Sequence, residues 1–180
     1  SIDNVIIEAS SHGLKKHRLN NIKFKTALFT NLSRDHLDYH KSIKDYLNSK
    51  LILFNNLLII KGNAVFEEKN KETKQLKIIS KNRKLKKYTF GSSKSFIKIT
   101  NIQKFSDQNK IYCVINRKKY SFKTSLIGKI QIKNLLFAIV AAYLSKLKIE
   151  KILNSIHKIK PITGRFEKIG NLKNNAKVIL

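Results

Sequence analysis

Apolar and polar positions follow two periods along this chain. Continuous apolar runs, the mark of strands buried on both faces, occur at Val5-Ile6-Ile7, at Thr26-Ala27-Leu28-Phe29-Thr30 and from Leu57 to Ile60. A helical period joins Ile43, Leu47, Leu51 and Phe54 and predicts a helix from Ser42 to Phe54. Ser42 followed by Asp45 gives it a start like a capping box. Glu67 to Lys74 is charged and reads as a solvated helix or loop, while Leu76 to Ile79 and Tyr88-Thr89-Phe90 read as short strands with Gly91 closing a turn. From Phe96 to Leu126 the β-rich runs Phe96 to Ile99, Ile111 to Ile115 and Tyr120 to Phe122 are separated by polar turns and predict an antiparallel meander. A broad apolar face from Ile132 to Leu144 predicts a helix within Gly128 to Leu147, and a second amphipathic helix spans Ile149 to Ile159. Pro161 and Gly164 mark a linker, and Ala176 to Leu180 reads as a closing strand. The expected fold class is α/β: a parallel sheet with an antiparallel β subdomain.

Length and composition narrow this picture. One hundred and eighty residues allow one domain, or one domain and part of another. The 38 Lys and Arg against 11 Asp and Glu give a formal net charge of +27, whose first implication is a polyanionic partner. Yet the excess is spread along the chain with heavy use of Lys, Asn and Ile, as compositional bias would produce. The aromatics form no ribonucleoprotein or helix-turn-helix signature. The expectation is therefore no nucleic-acid partner, with a basic nucleic-acid-binding module as the alternative. A single cysteine, Cys113, allows no disulfide framework and fits a reducing cytosol. No signal peptide or membrane-length apolar run is present, so a cytoplasmic protein with no membrane partner is expected, working as a monomer. The chain opens without Met, on one apolar run, and closes on another; the expectation is an internal fragment of a longer protein.

The chemistry concentrates in Asn31-Leu32-Ser33-Arg34-Asp35-His36-Leu37-Asp38-Tyr39-His40 and the helix after it. In so basic a chain, Asp35 and Asp38 beside His36 and His40 suggest a cation or a phosphate–metal complex. The i, i+4 spacing of His36 and His40 also occurs in zinc proteases, but the glutamate of that motif is missing. Lys50 lies on the apolar stripe of the helix. A lysine there must snorkel, find a carboxylate, or lose its charge. A neutral amine can add carbon dioxide and become an anionic carbamate, able to ligate a metal. Glu8 follows the first apolar run and precedes the polar turn Ala9-Ser10-Ser11-His12-Gly13. A strand-end carboxylate followed by such a turn suits magnesium facing an anionic substrate.

The stretch from Asn31 to His40, with Lys50 after it, resembles the Mur ligases. Within that family it is most like the members that add the third amino acid to UDP-N-acetylmuramoyl-dipeptide in peptidoglycan precursor synthesis. Glu8-Ala9-Ser10-Ser11-His12-Gly13-Leu14 resembles a second family motif, with Ala9 where valine is usual. Gly128, Asn134, Leu135 and Ala138 resemble a third, with Gln131 in place of a common asparagine, and Gly164-Arg165-Phe166-Glu167 resembles the motif that ends the family's central domain. The resemblance implies carbamoylated Lys50 and His36 as catalytic residues, and Glu8, His36 and Lys50 as the magnesium ligands. It also implies Ser10, Lys16 and Arg18 at the UDP-muramoyl-peptide, and Asn134 and Arg165 at ATP. Lys16 stands where the family usually has glutamine.

What it implies overall is an ATP-dependent acid–amino-acid ligase with ATP and Mg2+ as cofactors, and UDP-N-acetylmuramoyl-dipeptide and a diamino acid as partners. Another Mur or folylpolyglutamate-type ligase is the nearest alternative. Residues 1–163 would be the C-terminal portion of the central ATP-binding domain, and 164–180 the start of the next domain. No Gly-rich phosphate loop with Lys-Ser/Thr occurs in the chain. The resemblance places it upstream of Ser1, so these residues alone are expected to be inactive.

Overall fold

The computed structural model describes residues 3–32, 38–161, 168–171 and 177–179. The chain divides into two compact units, Ser1–Ser95 and Phe96–Leu180. The expected boundary at 163/164 lies outside the described residues.

The first unit is a parallel three-stranded α/β layer. Helix α1 (Ser11–Lys15) precedes strand β1 (Phe24–Phe29); helix α2 (Ile43–Ile52) runs into a π-helical turn, Leu53–Leu57, and then into β2 (Leu58–Glu67). Helix α3 (Thr73–Asn82) leads to β3 (Lys86–Phe90). Both β1–β2 and β2–β3 are parallel, with Phe29 opposite Phe66 and Phe66 opposite Thr89. Parallel neighbours need crossover connections, and α2 and α3 supply them. Ala27, Phe29, Ala64 and Phe66 from the strands pack with Leu47, Leu51, Phe54 and Leu76 from the helices in one buried cluster. Each buried Leu or Phe of the cluster stabilises the unit by about 1.5–3 kcal/mol relative to exposure.

Three expectations need correction here. Val5-Ile6-Ile7 is not a strand: the segment is irregular, its side chains are 72%, 93% and 40% exposed, and it pairs with no described strand. An apolar run becomes a buried strand only where a neighbour takes its backbone groups. The Leu57–Ile60 run is buried only at Leu57 and Leu58, while Ile59 and Ile60 are exposed. The register explains this. Leu58 pairs with Phe24 and Asn63 with Thr26, so residues 59–62 bulge outward, and the buried part of β2 is Ala64-Val65-Phe66. Gly62 permits the bulge, since a Cβ there would lie 2.8 Å from the Ile59 carbonyl oxygen. Finally, Leu76 to Ile79 is helical. Thr73, Leu76 and Ser80 are buried while Ile78 is exposed, and that spacing fits a helix face and no strand.

The second unit carries the expected meander: β4 (Ile97–Lys104), β5 (Asn109–Ile115) and β6 (Lys118–Thr124), all antiparallel. Along β5, Asn109, Ile111, Cys113 and Ile115 are buried in strict alternation. Helices α4 (Lys129–Leu144) and α5 (Ile149–Ser155) follow, the latter ending in a 3-10 turn, Ile156–Lys158. Strands β7 (Lys168–Asn171) and β8 (Lys177–Ile179) form an antiparallel pair.

Candidate active site

Glu8 lies in the irregular segment before α1, exposed, two residues ahead of Ser10. Ser10 is the N-cap of α1: its backbone is extended and its Oγ accepts the Gly13 amide at 3.1 Å. Lys16 is the C-cap, exposed, with its Nζ 5.9 Å from the centre of the Tyr39 ring. The Arg18 amide donates to the Gly13 carbonyl at 2.9 Å, which brings the exposed Arg18 back over the start of α1. Glu8, Ser10, Lys16 and Arg18 thus belong to one short, exposed polar segment.

Lys50 enters from α2. Ser42 caps this helix, its Oγ accepting the Asp45 amide at 3.1 Å. Asp45 does not complete the capping box; its Oδ2 accepts the Lys41 amide and the Lys15 ammonium instead. The buried face of α2 is Tyr46, Leu47 and Leu51, continued by Phe54, while Ile43 is 43% exposed. Tyr46 takes the place expected for Ile43. Half-buried Lys50 donates from Nζ to the Asn31 carbonyl oxygen at 2.8 Å, just past the carboxyl end of β1. Its Nζ also stands 4.9 Å from the Tyr46 ring centre and 6.0 Å from that of Phe29. Among the described residues it forms no ion pair.

α1 and α2 are joined by a chain of polar contacts that sequence reasoning did not anticipate. His40, 1% exposed, places Nε2 2.9 Å from the Oγ of Ser11, itself 4% exposed. His40 Nδ1 lies 3.5 Å from Asp45 Oδ2, which receives the Lys15 ammonium at 2.6 Å. That ammonium, more than any other neighbour, holds the Asp45 carboxyl below the usual carboxylate range. The only sequence signal was the polarity of Ser11 and His40 on either side of an apolar strand.

The carboxyl ends of β2 and β3 form a second polar cluster. Glu68 Oε2 accepts hydrogen bonds from the hydroxyls of Ser92, of Ser95 at 3.0 Å and of Thr89 at 3.4 Å. The Ser92 hydroxyl is the main reason the Glu68 carboxyl sits below its ordinary range. Glu67-Glu68 therefore ends β2 on the side where Asn31 follows β1.

His36 and Arg165 lie outside the described residues. Asn134 belongs to the second unit, exposed in the second turn of α4. It is not a cap, because that position is taken by Gly128 at φ +85°. Among the described residues no group of three His, Cys, Asp or Glu side chains could hold a metal ion, and no helix is long and apolar enough to cross a membrane.

Parallel strands crossed over by helices define an α/β domain of the kind whose ligand sites lie beyond the carboxyl ends of the strands. Residues 1–142 match the family model of the Mur ligase middle domain. The chain belongs to the Mur ligase family. It is 36% identical over 170 residues to the UDP-N-acetylmuramoyl-L-alanyl-D-glutamate–2,6-diaminopimelate ligase of Rickettsia montanensis, covering 94% of this chain and 35% of the relative. It is 32% identical over 177 residues to the ligase of the same name from Zymomonas mobilis, covering 98% and 36%. A solved structure of a ligase of that name superposes with a TM-score of 0.80 at 25% identity, over 92% of this chain and 34% of that one. The chain thus spans about a third of the length of the relatives it matches.

Proposed function

We propose that this chain forms part of an ATP-dependent ligase that joins a diamino acid to UDP-N-acetylmuramoyl-L-alanyl-D-glutamate in the cytoplasm. The observation that carries this reading is the position of Lys50, a half-buried amine held at the carboxyl end of a parallel strand, on a chain 36% identical to a ligase of that name. The donors suit magnesium by their chemistry. Glu8 offers a carboxylate, and a carbamate on Lys50 would offer a second hard oxygen ligand, with His36 as the third. Bound there, magnesium would neutralise phosphate charge as the substrate carboxyl is converted to an acyl phosphate for attack by an amine.

This chain's own residues have separable tasks in that scheme. Lys16 and Arg18 present cations from the turn after α1 to the anionic UDP-muramoyl peptide, and Ser10 presents a hydroxyl. Lys50 is held by Asn31 and Tyr46 in a place where its amine stays close to the strand ends. Asn134 and Arg165 would meet the nucleotide. No Gly-rich phosphate loop occurs within the 180 residues, so the backbone cradle for ATP phosphates is not supplied by this chain.

The test is ligation by the full-length gene product. Purified protein given ATP, Mg2+, UDP-N-acetylmuramoyl-L-alanyl-D-glutamate and either meso-diaminopimelate or lysine should release phosphate and form the tripeptide with one of the two. Absence of product with both amino acids would refute the assignment.

A further inference from the structure

We propose that His40 is a positioning residue: it pins Ser11, and with it the substrate-facing turn at Ser10, to the helix that carries Lys50. The inference rests on the ligase reading for what the turn binds, though not for the geometry itself.

Ser10 and Ser11 are adjacent but differ in their surroundings. Ser10 is exposed, and the Gly13 amide donates to its Oγ, so its own O–H remains free to donate outward. Ser11 is buried, and its Oγ meets His40 Nε2 at 2.9 Å. Helix α1 is only five residues long, too short to be stable by itself, so its placement depends on such tertiary contacts. On the far side, the His40 ring stacks on Tyr46 of α2 at 4.9 Å and 22° and meets Tyr39 edge-on at 5.0 Å and 88°.

The order Ser11–His40–Asp45 is that of a hydrolytic triad, and its burial excludes that use. A nucleophile 4% exposed cannot be reached by a carbonyl substrate. His40 Nδ1 lies 3.5 Å from the Asp45 carboxylate, its nearest polar partner among the hydrogen bonds and ion pairs of the described residues. A proton on Nδ1 faces that negative oxygen, which leaves Nε2 to accept the Ser11 hydroxyl proton. The result is a fixed strut from the start of α1, through His40, to the first turn of α2. Lys50 lies on the same helix, one turn beyond Tyr46. Substrate turn and lysine are thereby held in one frame, the kind of support on which ligand geometry depends.

Two measurements test this. In the full-length ligase, His40→Phe keeps an aromatic ring on Tyr46 but loses both nitrogens. It should raise KM for the UDP-muramoyl dipeptide roughly tenfold while KM for ATP stays within about twofold. His40→Gln, whose amide can reach Ser11, should recover most of that loss. Ser11→Ala should match His40→Phe, and the double variant should be no worse than either single one. Unchanged KM for the dipeptide, or additive losses, would overturn the proposal. Independently of turnover, amide exchange in the full-length protein should accelerate at Gly13 and Leu14 on His40→Phe and stay unchanged at Val65 and Phe66. Unaltered exchange at Gly13 and Leu14 would also overturn it. Selective acceleration in a protein that performs no ligation would uphold the strut and refute the ligase reading alone.

Discussion

The Lys50 ammonium lies 2.8 Å from the main-chain oxygen of Asn31, so that helix α2 and the carboxyl end of β1 are tied at the point where the Asp-His motif begins. This contact uses one of the three protons of the amine and no carboxylate. The amine therefore sits at the strand ends with no ion pair among the described residues, as the carbamate of the proposed function requires. In the full-length protein, Lys50→Ala should lower kcat of the proposed ligation by at least about a hundredfold and leave the folded structure intact. Lys50→Arg should fail as well, since guanidinium stays protonated and forms no carbamate. Partial rescue of Lys50→Ala by a short-chain carboxylic acid is the expected signature. Near-normal turnover of Lys50→Arg would reduce Lys50 to a tether on Asn31.

Ser42→Ala removes the hydroxyl that accepts the Asp45 amide at the start of α2. Loss of such a cap costs about 1 kcal/mol. Urea titration of the 180-residue chain should show a lower midpoint at unchanged slope. Ile43→Ser, one residue later on the exposed side, should shift it far less.

Acid should act through Glu68. Its carboxyl is held below the ordinary value of 4.5, first by the Ser92 hydroxyl and also by Ser95 and Thr89. A depressed carboxyl contributes stability that is present above pH 4.5 and is lost as pH falls through the lower folded value. Glu68→Gln should therefore be less stable than the parent at pH 7 and should lose less on acidification. Parallel melting curves for the two proteins between pH 6 and pH 3 check this.

Alkali should act through Cys113. Burial pushes its thiol from 9.0 up to about 11. A raised acid contributes stability that is fully present below pH 9 and is lost as pH rises through 11. The buried thiol should resist thiol reagents at pH 8 in the folded chain and react at once on unfolding. Cys113→Ala should show a shallower loss of stability between pH 9 and 11, which separates this thiol from the tyrosines and lysines that titrate nearby.

Much of the architecture was legible without coordinates. The meander, the helix after Gly128, the helix after Ser42 and its serine cap follow from period and local chemistry, since Ile111 to Ile115 alternates cleanly and Leu47, Leu51 and Phe54 repeat at one helical face. Leu76 to Ile79 misled because four residues hold too little of either period; burial at Thr73, Leu76 and Ser80 shows the helix only when the flanks are included. Val5-Ile6-Ile7 misled because an apolar run states a preference for burial without naming a neighbour.

By itself, the sequence determined most of the elements and the family motifs, and through the resemblance those motifs carry, the residues worth suspecting: Glu8, Ser10, Lys16, Arg18, His36, Lys50, Asn134 and Arg165. Period and motif are carried by residues close in the chain, and that order is preserved in the string. Tertiary structure decided which polar groups meet. The Ser11–His40 contact spans 29 positions, Lys15–Asp45 spans 30 and Lys50–Asn31 spans 19. No local period encodes such pairs; they exist because the fold of the first unit sets α2 beside α1 and the end of β1, and a hydrogen bond forms only where two chain segments are brought within about 3 Å.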